Sequence, residues 1–185
     1  GSGVQTLYFA QHGADVTAID ISEESVKMSD AFVRTNNFSA TVIVANAETL
    51  PFQDDTFDHV YINCMLMHTD KDKVISEARR VLKKKGSLII KEVLKHWIFS
   101  FPYRTFSPYR ATKPRYVSLR DITTLTSHHR EFYLFSTFFL FLFYVGYPRV
   151  ARAVFRFFEP ADRVLLRYLP FMCSGAWVSV AEVKK

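Results

Sequence analysis

Cysteine is scarce in this sequence: Cys64 and Cys173 are the only two in 185 residues. Two cysteines cannot build a disulfide framework, and they suit a reducing compartment in which both are free thiols. Neither belongs to a C-x-x-C pair or stands near metal-ligand spacing, so no metal is expected. Internal repeats and low-complexity linkers are missing as well, which points to a single domain over residues 1–185. Long apolar runs are also lacking. The uncharged stretch Phe132–Tyr147 is shorter than the roughly 20 residues a membrane-spanning helix needs. The charge balance excludes little. A net charge of +6 and a pI near 9.3 permit an anionic partner without selecting one.

What is present reads as a globular chain, 49% hydrophobic and 23% charged. Residues 4–12 predict a helix stopped by Gly13. Asp15 to Asp20 predicts a strand, and Ser22-Glu-Glu-Ser caps a helix continuing to about Asn36. Residues 40–45 predict a buried strand, 46–56 a loop broken by Pro51 and Asp54-Asp55, and 57–63 another strand. Asp70 to Lys85 predicts an amphipathic helix with Val74, Ile75, Ala78, Val81 and Leu82 on one side, closed by Gly86. Residues 87–94 predict a further strand. Strand and helix alternate, and the strands look buried on both faces, so a parallel sheet covered by helices is expected. In such sheets ligands bind at the carboxyl ends of the strands.

Beyond Lys95 the texture changes. Pro102, Pro108 and Pro114 lie among basic and aromatic residues, which predicts an insertion over 95–130 with a helix near Ser118–Thr126. An aromatic run comes next, then two helical stretches, 148–158 and 160–169, divided at Pro160. The chain closes with a strand over 176–183.

The chemistry-bearing residues sit at the expected strand ends. Gly1-Ser2-Gly3 precedes the first helix, where glycines let a ligand approach the backbone and the helix N-terminus favours an anionic group. Asp20 ends a strand seventeen residues past Gly3, near the spacing at which an acid takes ribose hydroxyls. A carboxylate can accept two hydrogen bonds from a vicinal diol. The segment Val44-Ala-Asn-Ala-Glu48-Thr-Leu-Pro-Phe52, the acidic turn after it and Phe57-Asp58-His-Val60 complete the set, with Arg80-Val-Leu-Lys-Lys-Lys-Gly86 leading into the next strand.

Together these motifs resemble the class I S-adenosylmethionine-dependent methyltransferases of the small-molecule, type 11-like kind, from Gly1 to about Val93 and again at the last strand. The resemblance implies a Rossmann-like three-layer α/β sandwich with a mostly parallel central sheet and a C-terminal antiparallel strand. Residues 1–94 would form the cofactor-binding part, 95–130 the substrate side, and 131–185 the C-terminal strands and basic helices. It implies S-adenosylmethionine as cofactor, with Gly1, Ser2 and Gly3 matching the end of the glycine loop and Asp20 the ribose acid. Ile21 would pack beside the adenine, Asn46 and Ala47 would meet the adenine edge, and Asn63 would face the methionine part. The family usually has Asp where Asn46 stands. The strand before Gly1 and the first glycine of the loop are not in this sequence, so the first strand of the fold is expected to be missing and the sequence to be part of a longer protein. A dehydrogenase is the rival for the glycines and the acid, but its third glycine would fall at Thr6 and the Leu-Pro-Phe segment would be unexplained.

Methyl transfer from a sulfonium is an in-line displacement that needs a base only if the acceptor must lose a proton. His68 is the candidate base, with His128 and His129 further along and Tyr103, Tyr109 and Tyr116 as pocket candidates. Arg149, Arg152 and Arg156 recur at helical spacing opposite Val150, Ala153, Val154 and Phe157, and Arg163 and Arg167 extend the pattern. Such a helix either solvates its arginines or lies on an anionic membrane. The expectation is a cytoplasmic enzyme for a small-molecule or lipid-linked acceptor, with peripheral membrane contact through 131–170 and no nucleic-acid partner. The alternative is a degenerate, non-catalytic module of the same fold.

Overall fold

The computed structural model describes residues 1–94, 115–118, 120–121, 124, 129–133, 148–168 and 178–184. The chain divides into two compact units, Gly1–Asp54 with Asp72–Val81, and Asp55–Lys71 with Leu82–Lys185.

In the first unit, helix α1 (Val4–Gln11) leads to strand β1 (Thr17–Asp20), helix α2 (Glu23–Thr35) and strand β2 (Thr41–Val44). Helix α1 ends where Gly13 takes φ +82, a left-handed conformation without steric cost for glycine. Helix α2 starts at Ser22, whose hydroxyl accepts from the Ser25 N–H at 3.2 Å, with Glu23 and Glu24 favourably placed in the first turn. Strands β1 and β2 run parallel, Asp20 opposite Val44, and the Ala45 N–H extends the ladder to the Asp20 carbonyl. Strand β2 is not the buried strand expected: Thr41 and Val44 are exposed, because β1 is its only strand neighbour among the described residues.

Gly3 has a specific packing role. Its φ is +78, and a Cβ there would lie 2.6 Å from the Ser29 hydroxyl and 2.9 Å from the Ser29 Cα. The start of α1 thus rests directly on α2, and no side chain fits between them.

The second unit holds strand β3 (Phe57–Asn63), a 3₁₀ turn (Leu66–His68), strand β4 (Leu82–Val93), strand β5 (His129–Tyr133), helix α4 (Pro148–Tyr168) and strand β6 (Val178–Lys184). The sheet order is β3-β4-β6-β5, with β3 parallel to β4 and β6 antiparallel to both β4 and β5. The parallel pairs and the antiparallel last strand agree with the α/β Rossmann-like expectation. Burial on both faces does not extend to every strand: β4 is the deeply buried one, with Leu88 and Ile90 at 0% exposure, whereas Asp58 and His59 of β3 are exposed.

Helix α3 (Lys71–Val81) bridges the division between the units in sequence, and its Val74, Ile75, Ala78 and Val81 are buried as the periodicity requires. It ends earlier than expected. Leu82 to Lys85 already belong to β4, where Leu82 pairs with Phe57 and Ser87 with His59. Two steps along β3 therefore face five along β4, a bulge that Lys85 turns with φ +67. Gly86 is not a helix stop: a Cβ there would lie 2.7 Å from the Asp58 carbonyl and 2.8 Å from Leu82 Cδ1. The bulge crowds the backbone, and only glycine fits.

Pro160 does not divide two helices; it sits inside α4, exposed. Proline removes one i→i−4 hydrogen bond, here to the Arg156 carbonyl, and on a solvated face water replaces it. The helix expected near Ser118 is described in part. Arg120, Asp121 and Thr124 are helical, and the Ser118 hydroxyl caps the Asp121 N–H at 3.2 Å. Most of the insertion and of the aromatic run lies outside the described residues.

Two glycine substitutions separate crowding from backbone conformation. Gly13→Ala, with open space around it, should lose about 1–2 kcal/mol for its left-handed φ. Gly3→Ala adds the collision with Ser29 and should lose about 2–4 kcal/mol. Urea midpoints of the two variants measure the difference; equal losses would mean that Ser29 moves aside freely.

Candidate cofactor and acceptor site

Within the first unit the expected site residues converge at the carboxyl ends of β1 and β2. Asp20 ends β1, and the Gly1 nitrogen, nineteen residues away in sequence, stands beside its carboxylate. Its Oδ1 also accepts from the Ser22 N–H at 3.0 Å. The Asp20 carboxylate has acceptor capacity left over, since a carboxylate offers about four lone-pair positions.

Asn46 and Ala47 come just after the end of β2, brought beside Asp20 by the Ala45–Asp20 backbone bond. Asn46 Oδ1 accepts from the Glu48 N–H at 2.9 Å, an Asx turn that orients the exposed amide. Ala47 is half-buried and Ile21 is 73% exposed, so Ile21 is not part of the core and offers a bare apolar surface beside Asp20. Gly1 and Ser2 are exposed, while Gly3 is buried by its contact with α2.

The Leu-Pro-Phe loop after Asn46 is held by two α3 side chains that are not among the residues expected from sequence. Glu77 accepts from the Leu50 N–H at 2.8 Å. Arg80 donates to the Phe52 and Leu50 carbonyls at 2.8 and 3.1 Å and to Asp54 at 2.8 Å, while both its Nε and Nη2 bond Glu77. The Arg80 guanidinium holds the Glu77 carboxyl down at about 2. The signal for this clamp is Glu77 and Arg80 standing one turn apart on the helix after the loop.

The second unit presents the carboxyl end of β3. Asn63 closes the strand opposite Lys91, and its Oδ1 is buried without a hydrogen-bond partner among the described residues. An unsatisfied acceptor at a strand end is the kind of group that a ligand's hydroxyl or ammonium completes. Cys64 comes next in the left-handed region at φ +51, and its N–H donates to the Lys91 carbonyl at 2.9 Å. Burial, with the charge of Glu92 added, pushes its thiol up to about 11, so Cys64 is no nucleophile at neutral pH. His68 ends the 3₁₀ turn with its side chain exposed.

Glu92 fixes this corner. It is fully buried on β4, and its Oε1 accepts from the Met65 and Leu66 N–H groups at 2.8 and 2.9 Å. Its Oε2 has no partner among the described residues, and burial pushes the carboxyl up to about 7 against the two backbone bonds that lower it. The signal in the sequence is a lone Glu in the apolar run Leu-Ile-Ile-Lys-Glu-Val.

The insertion returns over the same corner. The Arg115 N–H donates to the Met67 carbonyl at 2.8 Å, Val117 bridges Leu94, and Lys71 pairs with Asp121. Tyr116 is half-buried there. Tyr103, Tyr109 and His128 lie outside the described residues, as does the side chain of His129. Among the described residues no cluster of His, Cys, Asp and Glu could hold a metal ion, and no helix is long and apolar enough to cross a membrane.

Glu92 makes stability depend on pH. Its folded pKa of about 7 lies above its ordinary 4.5, so the protonated carboxyl stabilises the fold fully below about pH 4.5, and that contribution is lost as pH rises through 7. The span is at most about 3 kcal/mol. Glu92→Gln keeps the accepting oxygen and removes the titration. Its urea midpoint relative to the wild type should rise between about pH 5 and pH 8. A difference flat across that range would remove Glu92 as the titrating group.

A comparison with known proteins accounts for this arrangement. The sequence profile of a methyltransferase-domain family matches residues 1–90. The ubiquinone/menaquinone biosynthesis C-methyltransferase of Escherichia coli is 38% identical over 101 residues, 51% of this chain and 40% of that protein. The chain thus spans about two fifths of the length of the curated relatives it matches. Two solved structures share the fold over the whole chain. Geranyl diphosphate C-methyltransferase from Streptomyces coelicolor has a TM-score of 0.69 at 13% identity, over 69% of its own length. The cyclase SpnF has 0.66 at 20%, over 71% of its own length. A cyclase among these neighbours means that the fold by itself does not fix the reaction. The sequence match narrows what the fold leaves open: residues 1–90, just under half of the chain, are similar to the methyltransferase-domain family, which supports a class I S-adenosylmethionine-dependent methyltransferase.

Proposed function

We propose that the protein transfers a methyl group from S-adenosylmethionine to a small-molecule or lipid-linked acceptor. The observation that carries this reading is the convergence of Asp20 and Asn46 at adjoining strand ends. Asp20 has lone pairs left for a ribose diol, Asn46 has an oriented amide for the adenine edge, and Ile21 has a bare apolar face for the ring. The chemistry of this donor and acceptor set fits an adenosine group.

S-adenosylmethionine supplies a methyl group already activated on a sulfonium. The chain's residues then have to bind, orient and exclude water. Asp20 and Asn46 would hold the nucleoside. The Glu92 clamp on Met65 and Leu66 keeps the turn after Asn63 in register. His68 is exposed and available to take a proton from an acceptor that must lose one. The quinone-biosynthesis relative supports an acceptor carrying a lipid tail, and the basic helix α4 agrees with it.

Calorimetric titration of the full-length protein tests the assignment. Wild type should bind S-adenosylhomocysteine, and Asp20→Ala should bind it about 10–100-fold more weakly, the scale of hydrogen bonds to a charged group. Unchanged affinity in a folded variant would remove Asp20 from the site. Failure of the wild-type protein to bind the nucleoside at all would favour the non-catalytic module. Asn46→Asp should keep or improve the affinity, because the acceptor gains charge; a large loss with the fold intact would mean that the amide N–H donors are what the ligand uses.

A further inference from the structure

Helix α4 buries only part of its circumference. Val154, Phe155, Phe158, Leu165 and Leu166 are half-buried and Asp162 is 1% exposed, which defines the inward side. The outward side is not a uniform solvated face. At 3.6 residues per turn, Arg149, Arg152, Arg156, Arg163 and Arg167 fall within about 60° of arc. All five are exposed, Arg163 paired with Glu159 one turn back. Directly beside them Val150, Phe157, Val164 and Tyr168 fall within about 40°. They too are exposed, Phe157 at 75% and Tyr168 at 74%.

A helix that merely solvates its arginines has no reason to keep an apolar stripe in water next to them. We infer that the outward side of α4 is a docking surface for an anionic lipid bilayer, the apolar stripe entering the headgroup boundary while the arginines meet the lipid phosphates. The side-by-side arrangement suits a flat interface whose charge and apolar phase are adjacent layers. The length fits as well: 21 residues lie along the interface rather than across it, since the helix is too charged to span. Pro160 lies on the outward side, where its missing backbone bond is solvated by water or headgroups. The net charge of +6 has the sign that such a surface attracts. The inference stands whether or not the strand-end site binds a methyl donor.

Vesicle flotation with the full-length protein tests it. The probes are vesicles of phosphatidylcholine alone and of phosphatidylcholine with about one third phosphatidylglycerol, at low salt and at about 0.5 M salt, where the Debye length falls to a few ångströms. The protein should float with the anionic vesicles and not with the neutral ones, and salt should weaken the binding. Replacing Arg149, Arg152 and Arg156 by Gln should lower partitioning about a hundredfold. Phe157→Ser should lower it about tenfold or more by removing the inserted ring. An unchanged circular-dichroism melt in both variants excludes unfolding as the cause. Equal flotation with both vesicle types, or none with either, overturns the inference. So does a Phe157→Ser variant that binds as well as wild type, since the contact would then be charge alone. Tighter arginine-dependent binding to a short DNA duplex than to the anionic vesicles would assign the stripe to nucleic acid and overturn it equally.

Discussion

The corner between β3 and the 3₁₀ turn hangs on one buried carboxyl group. The Met65 and Leu66 N–H groups begin a turn too short to satisfy them, and Glu92 reaches from the neighbouring strand to accept both. Leaving both N–H groups without an acceptor would be costly, so the carboxyl group is tolerated in the most deeply packed strand. The residues after Leu66 depend on this anchoring. The 3₁₀ turn carries His68, and its Met67 carbonyl receives the returning insertion at Arg115. The Lys71–Asp121 ion pair and the Ser118 cap then fasten the next few residues. This corner is therefore built outward from a single side chain on β4.

The first unit uses a different device for the same need. Its loop after Asn46 has backbone groups that no strand satisfies, and they are taken by Arg80 and Glu77 from a helix. The clamp is more exposed than Glu92 and can keep full charge on both partners, because the guanidinium and carboxylate neutralise each other in place. A buried carboxyl group and an ion pair thus serve the same purpose on two loops.

Much of this is legible in residue patterns. Ser22 as a cap, the period-3.6 burial of Val74, Ile75 and Ala78, and Asp20 at a strand end come from local physics that tertiary contacts do not override. The departures have a common cause. The Lys83–Lys85 run has good helix formers and reads as the end of α3, yet pairing of Leu82 with Phe57 claims it for the sheet. Gly86 has the look of a stop signal and is in fact a crowding constraint. Pro160 reads locally as a break, but an outward position lets the helix continue through it. In each case a partner distant in sequence, or the solvent on one side, decides the outcome. Glu92 escapes notice in the sequence for the opposite reason: a lone carboxylate in an apolar strand names no partner.

Cys64 turns the anchored corner into something that can be watched. Its thiol sits one residue before the pair of amides Glu92 holds, and its environment keeps all but a trace of it protonated at neutral pH. Cys64 is half-buried, so an alkylating reagent meets a partly covered thiol that is protonated at neutral pH. A local opening that frees Met65 and Leu66 from the Glu92 carboxyl would uncover the sulfur further, so the labelling rate rises with the frequency of such excursions.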